Sequence, residues 1–192
     1  MTQKDIAEDI QQAVQTLRKG GIILYPTDTV WGIGCDAQNE QAVQRIYELK
    51  QRADHKAMIC LVDSANRMQR YLRFVPDVAW DLIEFAESPL TLILDGAVNI
   101  APNLIAEDGS IGLRVTKERI SQELCYRFQR AIVSTSANIS GEPTPANFSE
   151  ISPEIIQGVD YVMKAHQNDL STAKPSKIIK LESDGKVTII RK

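Results

Sequence analysis

Apolar residues recur at helical spacing near the start of the chain. Ile6, Ile10, Ala13, Val14 and Leu17 predict an amphipathic helix over 3–18. Thr2 with Asp5 three residues on supplies a capping-box start, and Gly20-Gly21 an end, because glycine takes a left-handed cap without a Cβ clash. The unbroken run Ile22-Ile23-Leu24-Tyr25, stopped by Pro26, predicts a buried strand. The same reasoning predicts helices over 39–51, 64–73, 76–86 and 117–129, and strands over 58–62, 90–94, 111–115 and 131–135. Polar stretches rich in glycine, proline and small residues predict loops over 99–110 and 136–147. Three further strands are expected over 159–163, 177–181 and 186–190, the last two joined by a hairpin whose signal is Asp184-Gly185. Helices and strands intermix throughout, which predicts α/β layers around a mixed sheet. No repeat, linker or low-complexity tract interrupts the pattern, so a single domain over 1–192 is expected.

Composition narrows the classes. The 192 residues are 43% hydrophobic, enough for one globular core. A net charge of -3 argues against a generally basic nucleic-acid binder but leaves room for a local patch. One candidate runs from Arg45 to Arg73, with seven Lys or Arg against three acids. Its plain alternative is a solvated helix face. Cys35, Cys60 and Cys125 are odd in number and far apart, which fits free thiols in a reducing compartment and no zinc site. With only His55 and His166, a Ser-His-Asp hydrolase or a histidine-rich metal site is poorly supplied. No apolar run reaches membrane-spanning length and no signal-peptide core opens the chain, so a cytoplasmic, non-membrane protein is expected.

Three polar segments fall at predicted strand ends, where open α/β sheets place ligands. The first, Tyr25 to Gly34, holds Pro26-Thr27-Asp28-Thr29 and two glycines that let backbone come close to something. Gly32-x-Gly34 lacks the third glycine of a dinucleotide fingerprint. The second, Lys50-Gln51-Arg52-Ala53-Asp54-His55-Lys56, brings cations to a helix C-terminus, where the dipole alone would favour them; its functional alternative is a triphosphate clamp. No Walker string exists, so any ATP must be held by side chains. The third, Ser134 to Pro143, packs hydroxyls and an amide behind an apolar strand; buried, they need hydrogen-bond partners that a polar ligand could supply. Its alternative is a Ser/Asn-rich turn. Arg114 stands inside the apolar strand 111–115 and needs a partner, either a structural acid or a ligand carboxylate.

Four strings together, Gly21 to Gly34, Lys50-x-Arg52, Gly112-x-Arg114-Val115 and Ser134 to Asn138 with Gly141, resemble the YrdC family of threonylcarbamoyl-adenylate synthases in order and spacing. The resemblance covers nearly the whole chain. It implies a twisted mixed sheet with flanking helices around a large, positively charged concave cavity. It implies an enzyme that condenses L-threonine, bicarbonate and ATP into threonylcarbamoyl-AMP and pyrophosphate, for use by tRNA-modification partner proteins. It places L-threonine on Thr27, Arg114, Ser134 and Ser176. It places ATP, carried with Mg²⁺, on Lys50, Arg52, Ser136, Asn138 and Arg191, with Lys56, Ser110 and Thr144 on the nucleotide side. Lys50 and Arg52 take the catalytic role of neutralising charge, and no resident metal is implied. The chain departs from the family pattern at Ala53, where many members have proline, at Lys177, where many have threonine, and at Leu61, where some have histidine. These departures keep a YciO-like branch open. A rival of another class is a non-catalytic RNA-binding module using the same cavity, including double-stranded RNA; a third reading is a carbamoyl-transfer domain of a larger maturase.

Overall fold

In the computed structural model, residues 1–52, 58–170, 175–182 and 185–192 are described. The chain opens with helix α1 (Gln3–Arg18), whose capping box forms as expected: the Asp5 N–H donates to Thr2 Oγ1 and the Thr2 N–H to the Asp5 carboxylate. Gly20, at φ 78°, takes the left-handed turn that releases the chain. Strand β1 (Ile23–Tyr25) follows, then β2 (Gly32–Gly34) and helix α2 (Glu40–Leu49), capped by Asn39. Next come β3 (Ile59–Val62), the short helix α3 (Ala65–Met68), α4 (Asp77–Glu84), β4 (Leu90–Leu94) and β5 (Ile111–Val115). Then come α5 (Arg119–Phe128), β6 (Ile132–Ser136), α6 (Pro153–Gly158), β7 (Tyr161–Val162), β8 (Lys177–Leu181) and β9 (Val187–Arg191).

Among the described residues the strands form one mixed sheet in the order β7-β1-β2-β6-β3-β5-β4-β8-β9. Three of its ladders are parallel (β1 with β7, β3 with β5, β4 with β8) and the rest antiparallel. Side chains alternate across each strand, so the sheet has two unlike faces. One face turns Leu24, Ile33, Cys60, Val62, Leu92, Leu113 and Val133 into the larger core, beside Val43 and Ile46 of α2. The other turns Ile23, Tyr25, Leu61 and Ile132 against α1 and α5. Residues two apart share a face, so Gly112 and Arg114 of β5, and Ser134 and Ser136 of β6, lie on this second face, as does Thr91 of β4.

Two expectations change. The segment 64–73 forms only the four residues of α3. Its second half instead pairs with the 96–98 segment: the Arg73 N–H donates to the Gly96 carbonyl, the Val98 N–H to the Tyr71 carbonyl, and Leu72 bridges Ala97. Tyr71 and Leu72 are buried without a helix, so the core, not local periodicity, sets their conformation. The second change is β2, a strand that the hydrophobic pattern does not predict. Two of its three residues are glycine, so it shows no apolar alternation.

Those glycines are required by close approach. A Cβ at Gly34 would stand 2.5 Å from the Val133 carbonyl oxygen and 2.7 Å from the Tyr25 ring. A Cβ at Gly32 would stand 3.2 Å from Thr27 Cγ2 and 3.3 Å from Ser134 Oγ. The sheet is thus bare where the Thr27 loop crosses it. The 182–185 connection between β8 and β9 closes an antiparallel hairpin with Gly185 at φ 87°; Ser183 and Asp184 lie outside the described residues.

Candidate active site

Arg114 is the buried centre of the site. Its side chain is 4% exposed and its Nη2 lies 3.1 Å from Oδ1 of Asp28, which is 9% exposed. The pair is close but poorly aligned. Asp28 Oδ1 accepts no hydrogen bond, and Arg114 Nε donates none, although both atoms are buried. Burial pushes the Asp28 carboxyl above its ordinary value, against the pull of Arg114. Burial likewise lowers the Arg114 guanidinium, against the pull of Asp28. Both shifts run toward neutrality, so desolvation outweighs the attraction within the pair.

A chain of hydroxyls surrounds this centre. Arg114 Nη2 donates to Thr29 Oγ1 at 3.3 Å. Thr29 and Thr27 hydroxyls lie 3.1 Å apart, and Thr27 donates to the Val30 carbonyl at 2.7 Å. These bonds shape the turn after β1, where Pro26 stops the ladder. Across the sheet, the register sets Thr91 opposite Ile178, and Ile178 opposite Arg191. The Thr91 and Ser176 hydroxyls are 2.9 Å apart and buried. Arg191 Nε donates to the Ser176 carbonyl at 2.8 Å, with Nη2 3.3 Å from its hydroxyl. The charge of Arg191 is felt at Arg114. Thr27, Arg114, Ser134, Ser176 and Arg191, far apart in sequence, therefore gather on one face of the sheet.

The nucleotide-side residues form a second group at the end of α2. Lys50 is 2% exposed. Its Nζ donates to the carbonyls of Ser136 and Asn138, each at 2.6 Å. Its own carbonyl accepts from the Ser140 N–H at 2.8 Å. Three bonds thus staple the end of α2 to the loop after β6. In place of a phosphate-facing cation, Lys50 turns onto backbone carbonyls because that loop closes over it. Burial, then the neighbouring Arg52 charge, bring the Lys50 ammonium down to about 8. Gln51 takes a left-handed φ of 49°, which turns the chain out of the helix at half-buried Arg52. Asn138 donates to the Ile139 and Glu142 carbonyls and leaves its buried Oδ1 without a partner.

Three predicted residues stand apart. Ser110 is buried and its hydroxyl donates to Asp108 at 2.6 Å. Asp108 is in turn paired with Lys180. Thr144 is exposed, and Lys56 lies outside the described residues. The basic run from Arg45 to Arg73 is not one face. Arg67 is buried in a bidentate pair with Asp63, Arg45 pairs with Asp160, and Lys50 is enclosed.

A cavity of about 460 Å³ opens beside the Arg114–Asp28 pair. Pro26 to Trp31, Leu90 and Val115 form its inner wall, and Lys117, Glu118, His166 and Asp169 are among its polar lining. Trp31 is braced by Phe148, ring centroids 4.9 Å apart. The lining is mixed in sign. Of the predicted residues that are described, only Thr27 lines it directly; Arg114 reaches it through Asp28 and Thr29. The sequence reading did not assign Asp28, Thr29, Thr91 or Trp31. Asp28 and Thr29 were legible in the Pro-Thr-Asp-Thr string, whereas Thr91 is an ordinary strand residue until the register sets it beside Ser176.

A mixed α/β sheet, with buried cations, hydroxyls and unsatisfied polar atoms gathered on one face beside a cavity, defines a small-molecule-binding α/β protein. The chain belongs to the Sua5/YciO/YrdC family: the family model described as "Telomere recombination" matches residues 15–192. A Stenotrophomonas maltophilia protein named threonylcarbamoyl-AMP synthase is 33% identical over 170 residues, covering 86% of this chain and 91% of its own. E. coli YciO superposes with a TM-score of 0.82 at 28% identity, covering 95% of this chain and 88% of that one. P. abyssi Sua5 complexed with L-threonine superposes with a TM-score of 0.79 at 26% identity, over 90% of this chain. This chain spans half the length of that Sua5 chain.

Proposed function

We propose that this chain is an L-threonylcarbamoyladenylate synthase, joining L-threonine, bicarbonate and ATP for threonylcarbamoyl-adenosine modification of tRNA. The carrying observation is the buried Arg114, whose Nε lacks a hydrogen-bond partner beside a cavity, and whose Nη2 is tied through Thr29 to the Thr27 hydroxyl. A buried donor left unmade is costly, and a carboxylate completes it with charge-assisted bonds. The names of the relatives supply the substrate class.

In this reading Arg114 orients the threonine carboxylate while Thr27, Ser134 and Ser176 hold the amino acid. The amine, in its neutral form, takes up bicarbonate with loss of water to give an N-carboxylate. That carboxylate attacks the α-phosphate of ATP and pyrophosphate leaves. No protein nucleophile is needed; rate comes from holding two anions together and from neutralising charge. Arg52, Arg191 and the Lys50-stapled loop carrying Ser136 and Asn138 form the nucleotide side, with Ser110, Thr144 and Lys56 at its margin. In this reading Mg²⁺ enters as part of the nucleotide substrate. Among the described residues no helix is long and apolar enough to cross a membrane; the reading places the reaction in the cytoplasm, where the adenylate passes to tRNA-modification partner proteins.

The test is incubation with labelled bicarbonate, Mg-ATP and each amino acid in turn, followed by identification of the products. Adenylate and pyrophosphate are expected with threonine. Stabilisation of the fold by tRNA, with no adenylate and no shift from ATP or threonine, would establish the RNA-binding alternative instead.

A further inference from the structure

An α-amino acid carries an anion and a cation two bonds apart, and the buried pair in this site offers one unsatisfied atom for each. Arg114 Nε is a donor without an acceptor; Asp28 Oδ1 is an acceptor without a donor, 3.1 Å from the Arg114 Nη2 it fails to align with. Both side chains are more than nine-tenths buried, and Asp28 belongs to the cavity wall. A counter-ion present only to balance Arg114 would be expected to close the pair by hydrogen bonding, as Asp63 does for Arg67, where two bonds form.

We infer that Asp28 is the residue that receives the substrate's α-ammonium group, and so selects an amino acid over the analogue that lacks the amine. This rests on the functional reading above and deepens it. The other carboxylates lining the cavity are Glu87, Glu118 and Asp169, and Glu87 is exposed ahead of β4. Both oxygens of Glu118 accept N–H groups at the start of α5. Asp169 lies on the partly exposed rim, 3.7 Å from His166. Asp28 is the acid that adjoins the carboxylate-binding arginine. With the ammonium on Asp28 and the carboxylate on Arg114, the amine is fixed at the cavity, where bicarbonate must reach it.

The experiment compares two ligands on two proteins by calorimetry. The ligands are L-threonine and 3-hydroxybutanoate, which is threonine with its amine replaced by hydrogen. Wild type is expected to bind threonine roughly 10- to 100-fold more tightly, the worth of one charge-assisted hydrogen bond. In Asp28→Asn the ratio falls to near one, because threonine is weakened and 3-hydroxybutanoate is not. A purely structural role weakens both ligands alike and keeps the ratio, which overturns the inference while leaving the functional reading intact. If wild type binds the two ligands equally, the inference fails with no variant needed. Asp28→Ser, smaller and uncharged, repeats the comparison should Asp28→Asn not fold. Failure of wild type to bind threonine at all removes the functional reading and this inference together.

Discussion

Arg114 lies in the buried strand β5 and Asp28 in the turn after β1, and neither is at rest without the other. Removing one member of a buried ion pair leaves an uncompensated charge, at a cost of about 3–5 kcal/mol. Arg114→Met is therefore expected to destabilise the fold by roughly that amount in urea titrations, the lower end applying if Asp28 takes up a proton. Arg114→Met combined with Asp28→Asn should recover much of the loss; a double variant no better than the single one contradicts the pairing. Lys50 makes a prediction in pH. Its folded-state value near 8 lies below the ordinary 10.5. Between these values the unfolded chain binds the proton that the folded chain has released, so stability rises with pH across that window. Affinity for ATP is expected to run the other way through the loop that Lys50 staples, falling as pH climbs through about 8 and its bonds to the Ser136 and Asn138 carbonyls lose their charge. Lys50→Met is expected to remove both trends, read by thermal melts and by nucleotide titration at pH 7 and pH 9.5. Persistence of the ATP trend in Lys50→Met would assign it to the nucleotide or to another group.

At the scale of elements, helices whose apolar stripe and caps agree were legible. The 3–18 helix, its Thr2–Asp5 box and its glycine exit follow from local chemistry alone. The 64–73 helix was not, because Tyr71 and Leu72 earn more by pairing with the 96–98 segment than by another helical turn. Strand β2 was hidden for a related reason. Its glycines exist to admit the Tyr25 ring and the Val133 carbonyl, partners that no window of sequence around 32–34 contains. Gly34→Ala should therefore cost about 1–3 kcal/mol by overpacking, since the neighbouring atom is rigid backbone. Gly109→Ala meets no atom within 4 Å, so its cost comes from its positive φ and not from a clash. A Gly34→Ala protein as stable as wild type in denaturant titrations contradicts this packing.

Across the whole molecule, the types of residue at the site were readable and their grouping was not. Thr27, Arg114, Ser134, Ser176 and Arg191 come together only through the strand order, which runs out of sequence across the entire sheet. The resemblance to a family supplied that grouping in advance; composition and periodicity could not. Lys50 shows the limit, since its place on backbone carbonyls follows from the folded loop and from nothing in Lys50-x-Arg52. On the proposed function, one face of the sheet holds an amino acid and a nucleotide side by side. The most direct test is a crystal structure with L-threonine and a non-hydrolysable ATP analogue. The threonine carboxylate is expected within hydrogen-bond distance of Arg114 and the phosphates at the Arg52 and Ser136–Asn138 end of the same hollow. Either ligand bound on a different surface of the protein would contradict it.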